Sequence, residues 1–511
     1  MKQGYIYHAV LRCMVVALAA SASPGQVSAR VVIGADATQN MTCSAGICAP
    51  TAANAVLNVS DLETLLASGN VTVTTTGAGV QARDITVLAG FSWTSGGALT
   101  LDAFRALAID APVLVGGLSG LSLVTDDGGK NGALSFGGNG NVGFANLSSS
   151  LNIDGTPYAF VNTVAGLASA IAANPGGAYA FAGSYDASRD GTYSAAPVST
   201  TFRGAFEGLG NAISNLTVSE GNTGSVGLFA DIAAGGTVRD IGIMSPNMTG
   251  AGVSTVGALA GTNAGVIAGS FALGGSIAGA YAGGLAGVNS GTLSHSYATS
   301  PTLGSMAGGL VADNFGTISL SYATGAVVGN HPVSNTGGGL AGTNEANAGI
   351  VQSFATGAIA STDGQYDCDY GGLVGSNAGA ISQSYALGSA TSGPLGEEGG
   401  LVGRNAHTAA IVRSYSAGAV TGGSGSYPGG SIGYDQSRSG SIAHNYWDTS
   451  TSGIANLAQG AGNIPNDSGI AGLSGSKLQS GLPEGFDAKV WSESANINGG
   501  LPYLLANPPP K

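Results

Sequence analysis

One phrase recurs along this chain without ever being copied. GGLVGSNAGAISQSYALG, Gly371 to Gly388, has counterparts in GGLAGVNSGTLSHSYATS from Gly283 and GGLVADNFGTISLSYATG from Gly308. Further copies begin at Gly338 and Gly399, and degenerate ones at Val256 and Gly429. Aligned on Leu259, Leu285, Leu310, Leu340, Leu373, Leu401 and Ser431, the copies recur every 25 to 33 residues. Four residues beyond each Leu is an amide (Asn263, Asn289, Asn314, Asn344, Asn377, Asn405), with Asp435 closing the series. An aliphatic residue follows at Ile267, Leu293, Ile318, Ile350, Ile381, Ile411 and Ile442. Then comes an aromatic ring: Phe271, Tyr297, Tyr322, Phe354, Tyr385, Tyr415 and Tyr446.

Periods of this size belong to solenoids, propellers or arrays. A helical repeat needs apolar residues at 3.6 spacing over about ten positions or more. Here the apolar runs are short, rich in Val, Ile, Tyr and Thr, and broken by Gly, which reads as strands. A propeller blade takes about 40 residues, more than these copies offer. The pattern therefore predicts an all-β solenoid with two or three short strands per coil. Coils lie about 4.8 Å apart, so equivalent side chains stack in rows. The Asn row then forms a ladder of amides, and the Leu and Ile rows fill a narrow core. The double glycine marks either a positive φ or a close backbone approach. Rings facing inward are core; facing outward, they form a strip able to stack on sugars. Burying a ring contributes more than burying Ser or Ala, which favours the core.

Composition narrows the class. Charged residues are 8% of the chain, against about 25% in a typical soluble protein. Disorder needs few apolar residues, and here they are 43%. Net charge −13 argues against nucleic acid, which selects basic faces. Residues 1–29 read as a signal peptide: Lys2 and Arg12 are basic, Cys13 to Ala20 is apolar, and Val27 to Ala29 suits cleavage. A membrane anchor needs about 20 apolar residues, more than this stretch has. No later segment reaches spanning length. Cys43 and Cys48 suit a small disulfide loop in an oxidising compartment. Two sulfurs with no nearby His do not fill a zinc shell. No role is read for Cys368.

Ahead of the repeats, VTVTTT (Val71 to Thr76), DITVLA (Asp84 to Ala89), ALTLDA (Ala98 to Ala103) and LSLVTD (Leu121 to Asp126) alternate as strands do. SDLETLLAS from Ser60 reads as a helix with Ser60 and Glu63 in capping-box spacing. VAGLASAIAAN from Val164 is a second helical interruption. After Trp447 the pattern breaks, and SKLQSGLPEGFDAKVW onward reads as a cap over the last coil, which would otherwise be an open edge.

The GGLVGxNxGxI…SYAxG unit resembles the GLUG repeat of bacterial surface and secreted proteins, and NYWDTSTSG (Asn445 to Gly453) resembles the way such arrays end. Asp84 to Val113 and Phe202 to Val218 are similar to passenger regions of filamentous-haemagglutinin-like exoproteins. The resemblance implies a right-handed parallel β-helix and an extracellular, adhesive role. Its partners would be a host or neighbouring-cell glycan or protein and an outer-membrane secretion partner, although no NPNG-type secretion motif is present. The organisation expected is a signal peptide over 1–29, a haemagglutinin-like solenoid over 30–200, the repeat solenoid over 201–450 and a cap over 451–511.

The sequence points to no catalytic centre, cofactor or metal. HExxH, GxSxG and P-loop patterns are missing. His295 and His444 share one column, five coils apart. Acidic pairs stand at Asp126-Asp127, in a turn before Gly128-Gly129, and at Glu397-Glu398, ahead of a double glycine; Asp363, Asp367 and Asp369 surround Cys368 and read as a solvated loop rather than a calcium site. A non-enzymatic adhesive solenoid is expected; a carbohydrate-active β-helix enzyme and a purely structural rod are the alternatives.

Overall fold

In the alternating segments, every second side chain is buried along Val71–Thr74, Asp84–Val87 and Leu99–Asp102. A computed structural model describes residues 29–221, 224–331, 335–361 and 368–510. The expected leader up to residue 28, and Asp363 and Asp367, lie outside the described residues. The strands stack in parallel with matched register. Val71, Leu99, Leu121 and Leu151 succeed one another along one apolar row. The chain is a parallel β-solenoid of about 14 turns.

Five successive coils of the repeats, from Thr255 to Thr391, each carry five short strands where two or three were expected. In one coil they are Tyr281–Gly283, Ala286–Asn289, Thr292–Ser294, Tyr297–Ala298 and Thr302–Gly304. Corners split the strands. His295, between the third and fourth, is held at φ 49°, which interrupts the extended backbone. At the double glycine the requirement is space. A Cβ on Gly283 would stand 1.9 Å from Ala286 O, and one on Gly284 would stand 2.1 Å from Gly309 O of the next coil.

The apolar interior has two sections. One takes in Val31 to Ile153 with the first helix, together with Ala180, Ala182 and Leu209; the other runs from Val161 to Ala461. The two interleave between α2 (Val164–Ala173) and Leu209, where Phe181, Phe202 and Phe206 belong to the second section. Helix α1 is Val59–Ser68, and its cap differs from expectation. Asn58, not Ser60, is the N-cap, accepting from Ser60 N at 2.8 Å. Glu63 instead accepts from Ser92 N at 2.9 Å. No capping box forms, because Glu63 is committed to a neighbouring coil.

Both ends are finished. A hairpin, Met41–Ser44 with Ile47–Pro50, sets Cys43 opposite Cys48, and a disulfide joins them. At the other end, Ile470–Leu473 adds one more strand beside Asn445–Asp448. The C-terminal segment beyond Leu473 packs on Tyr446 of the last coil and turns back along the outside of the solenoid, reaching Ser321 and Gln352 through Asn507.

Candidate functional site: the outer aromatic row and its strap

The amide row is continuous. Asn263 Nδ2 donates to Asn289 Oδ1 at 2.8 Å, Asn289 to Asn314 at 2.8 Å, and Asn314 to Asn344 at 2.8 Å. Asn344 donates to Asn377 at 2.8 Å, Asn377 to Asn405 at 2.9 Å, and Asn405 to Asp435 Oδ1 at 2.8 Å. Every member is buried. The ladder has a direction, and it ends where a side chain can accept but not donate. A carboxylate at Asp435 meets that condition.

A second ladder was not read from the sequence. The residue before the ring is Ser270, Ser296, Ser321, Ser353, Ser384 or Ser414 in six coils, and Asn445 before Tyr446. Ser296 Oγ accepts from Ser270 N at 3.2 Å and donates to Ser294 O at 2.8 Å, and the pattern repeats at Ser321. Its cause is the corner one residue upstream. Asp240, His295, Leu320, Gln352, Gln383, Arg413 and His444 all have φ between 48° and 54°. That turn takes neighbouring backbone groups out of the strand pattern, and the serines satisfy them. The Ser before six of the seven rings was the available signal.

The rings face outward, contrary to the core reading. Ala272, Ala298, Ala323, Ala355 and Ala386, each one residue beyond a ring, are fully buried in the interior. Strand alternation therefore turns the rings to the outer face. They stack on one another, with centroids 5.1 Å apart for Phe271–Tyr297, 4.8 Å for Tyr297–Tyr322 and 4.9 Å for Tyr322–Phe354. The row continues through Tyr385 at 4.8 Å and Tyr415 at 5.2 Å. No two of these neighbouring rings are tilted by more than 12°. Packing at this spacing sets ring faces against each other and leaves mainly edges and hydroxyls outward.

Burial of the row comes from elsewhere. The segment after α3 (Gly475–Leu478) runs back over it as a strap. Phe486, Trp491 and Leu504 form one apolar cluster with Phe354, Tyr385, Tyr415 and Tyr446. Tyr446 Oη donates to Glu484 O at 2.9 Å and Tyr415 Oη to Pro502 O at 2.7 Å. Asn498 Nδ2 donates to Tyr415 Oη at 2.9 Å. The track ends at Asn507, whose Nδ2 donates to Ser321 O at 3.2 Å and Gln352 O at 3.1 Å. Tyr385 Oη is buried with no hydrogen-bond partner. Tyr322 packs against this cluster, and it, Tyr297 and Phe271 are half-buried.

The titratable groups are dispersed. His295 is exposed, whereas His444 packs against Gly485 beneath the strap. Asp126 Oδ1 accepts from Gly132 N at 2.7 Å within its own turn. Glu397 Oε1 is 3.3 Å from Arg404 Nη1. Glu398 is fully buried beside Ser392, and burial pushes its pKa up to about 7. It lies on the strand Glu397–Gly399, stacked on Cys368–Gly371. Cys368 is a buried thiol that accepts from Asn335 Nδ2 at 3.8 Å. One carboxyl pair passed unnoticed in the sequence. Glu207 and Asp240 share a hydrogen bond at the junction of the two core sections; burial drives both pKa values up, that of Asp240 to about 7. Its members are 33 positions apart, so only folding brings them together. Among the described residues no group of three metal-ligating side chains converges, and no helix is long and apolar enough to cross a membrane.

Fold and rows together define the class, a parallel β-solenoid with stacked side-chain ladders. No protein-family model matches the sequence. A stretch of 77 residues is 42% identical to halomucin of Haloquadratum walsbyi, which is 15% of this chain and 1% of halomucin. A solved structure named IgA1 protease aligns at TM-score 0.38 and 20% identity, covering 56% of this chain and 21% of that one. A Bacteroides ovatus structure assigned to the immunoglobulin A1 proteases aligns at TM-score 0.38 and 16% identity, covering 64% of this chain and 85% of its own.

Proposed function

We propose that this is a secreted or cell-surface β-solenoid of adhesin type, akin to GLUG-repeat and filamentous-haemagglutinin-like proteins, with no catalytic activity of its own. The observation that carries the reading is how the repeats use their polar side chains. The Asn and Ser rows are held inside ladders, and the Tyr faces are held against other Tyr or Phe rings. Side chains locked in this way build a stiff, long surface rather than a reactive centre. The ring geometry favours a protein partner over a glycan, because sugar stacking needs open ring faces.

The test is binding of the fluorescently labelled chain to host cells, to neighbouring bacteria and to a glycan array, alongside incubation with a panel of polysaccharides. Saturable, protease-sensitive binding to cells supports the reading. Release of sugar fragments from any polysaccharide would replace it with the carbohydrate-active enzyme. Absence of binding to every surface would leave a structural rod.

A further inference from the structure

The strap covers only part of a groove that runs on past it. Where covered, the groove holds an extended polypeptide by two kinds of contact. Apolar side chains (Phe486, Trp491, Leu504) press on ring edges, and a carboxamide, Asn507, bridges carbonyls of two successive coils, Ser321 O and Gln352 O. The same row continues through Tyr322, which packs against the strap's cluster, to Tyr297 and Phe271, stacked at the same spacing and half-buried. The equivalent carbonyl pairs are those of Ser296 with Leu320 and of Ser270 with His295, because corner and serine repeat in each coil.

We propose that this uncovered end of the groove, along Phe271 and Tyr297, docks an extended polypeptide segment of a partner, with the strap's own chemistry: an apolar or aromatic residue followed by a carboxamide. Continuity with the strap interface is the basis for the occupant. The chain demonstrates on itself what the row accepts. An isolated row of ring edges offers about 0.5–1.5 kcal/mol per aromatic contact, so the open coils of Phe271 and Tyr297 must act together.

This builds on the adhesive reading, and its test separates the two. A labelled peptide with the sequence of residues 490–510, carrying a photo-crosslinker in place of Leu505, is titrated against the full chain by fluorescence anisotropy. The expected result is saturable binding, with crosslinks between residues 270 and 325. Tyr297→Ser should weaken binding by about tenfold, the loss typical of a truncated aromatic anchor. Tyr281→Ser, on another face of the same coil, serves as the control and should leave binding intact. If Tyr297→Ser unfolds the chain, His295→Glu, at the exposed corner beside the groove, should weaken binding while leaving the circular dichroism unchanged. The proposal is overturned if the peptide does not bind, or if crosslinks fall between residues 354 and 446, which would mean exchange with the strap. Retained cell binding alongside either result would leave the adhesive reading standing and remove this one.

Discussion

Tyr385 and Tyr415 occupy the same position one coil apart, and both lie under the strap, yet their hydroxyls meet different fates. That of Tyr415 donates to Pro502 O and accepts from Asn498, whereas that of Tyr385 is buried without a partner. An unsatisfied buried hydroxyl costs about 1–3 kcal/mol, and a made hydrogen bond contributes about 1 kcal/mol. Tyr385→Phe should therefore raise stability by about 1 kcal/mol and Tyr415→Phe should lower it by about the same. Urea unfolding of the two variants checks this, and a change of the same sign in both would contradict it. Glu207 and Asp240 give a second prediction at this scale. Both carboxyls have folded pKa values above the ordinary range because burial disfavours charge, partly offset by Arg239. The folded chain thus keeps a proton that the unfolded chain has released above about pH 4. The pair's stabilising effect is full below that pH and is lost as the pH rises through about 7. Glu207→Gln, which cannot ionise, should make stability at pH 8 higher and flatten its fall between pH 4 and 8. Stability measured across that range decides; an unchanged slope would contradict the assignment.

At the scale of the element, the amide ladder and the strap carry the predictions. Asn314 both accepts from Asn289 and donates to Asn344, so Asn314→Ala removes the donor to buried Asn344 Oδ1 and leaves Asn289 Nδ2 only its long contacts to Gly291 O and Thr317 O. A loss of about 3 kcal/mol is expected. Asp435→Asn, at the accepting end, should cost less than about 0.5 kcal/mol, since an amide oxygen can still receive the proton from Asn405. Equilibrium unfolding compares them, and equal costs would contradict a directional ladder. The Asn, aliphatic and aromatic rows were legible in the sequence because each repeats at a fixed offset, and a fixed offset in a stacked coil becomes a row. The orientation of the rings was not. Alternation separates two faces but does not say which is covered, and here the cover lies far along the chain, with Asn507 reaching Ser321 across 186 residues. The Ser row and the Glu207–Asp240 pair were missed for related reasons. A serine beside a ring reads as filler until the positive-φ corner is known, and two carboxyls far apart in sequence show no pairing signal.

The whole molecule is a one-dimensional stack in which each coil touches chiefly its neighbours, closed at one end by the disulfide hairpin and α1 and at the other by Ile470–Leu473. Such arrays are stabilised by nearest-neighbour terms, and the strap adds a longer tie across several coils. The central claim is that equivalent side chains in successive coils bear directly on one another. Double-mutant cycles on Asn289 test it most directly, pairing Asn289→Ala once with Asn314→Ala in the adjacent coil and once with Asn405→Ala four coils away. The adjacent pair should show a coupling of about 1–2 kcal/mol, and the distant pair should be additive within about 0.5 kcal/mol. Additivity in the adjacent pair, or equal coupling in both, would contradict the stacked ladder.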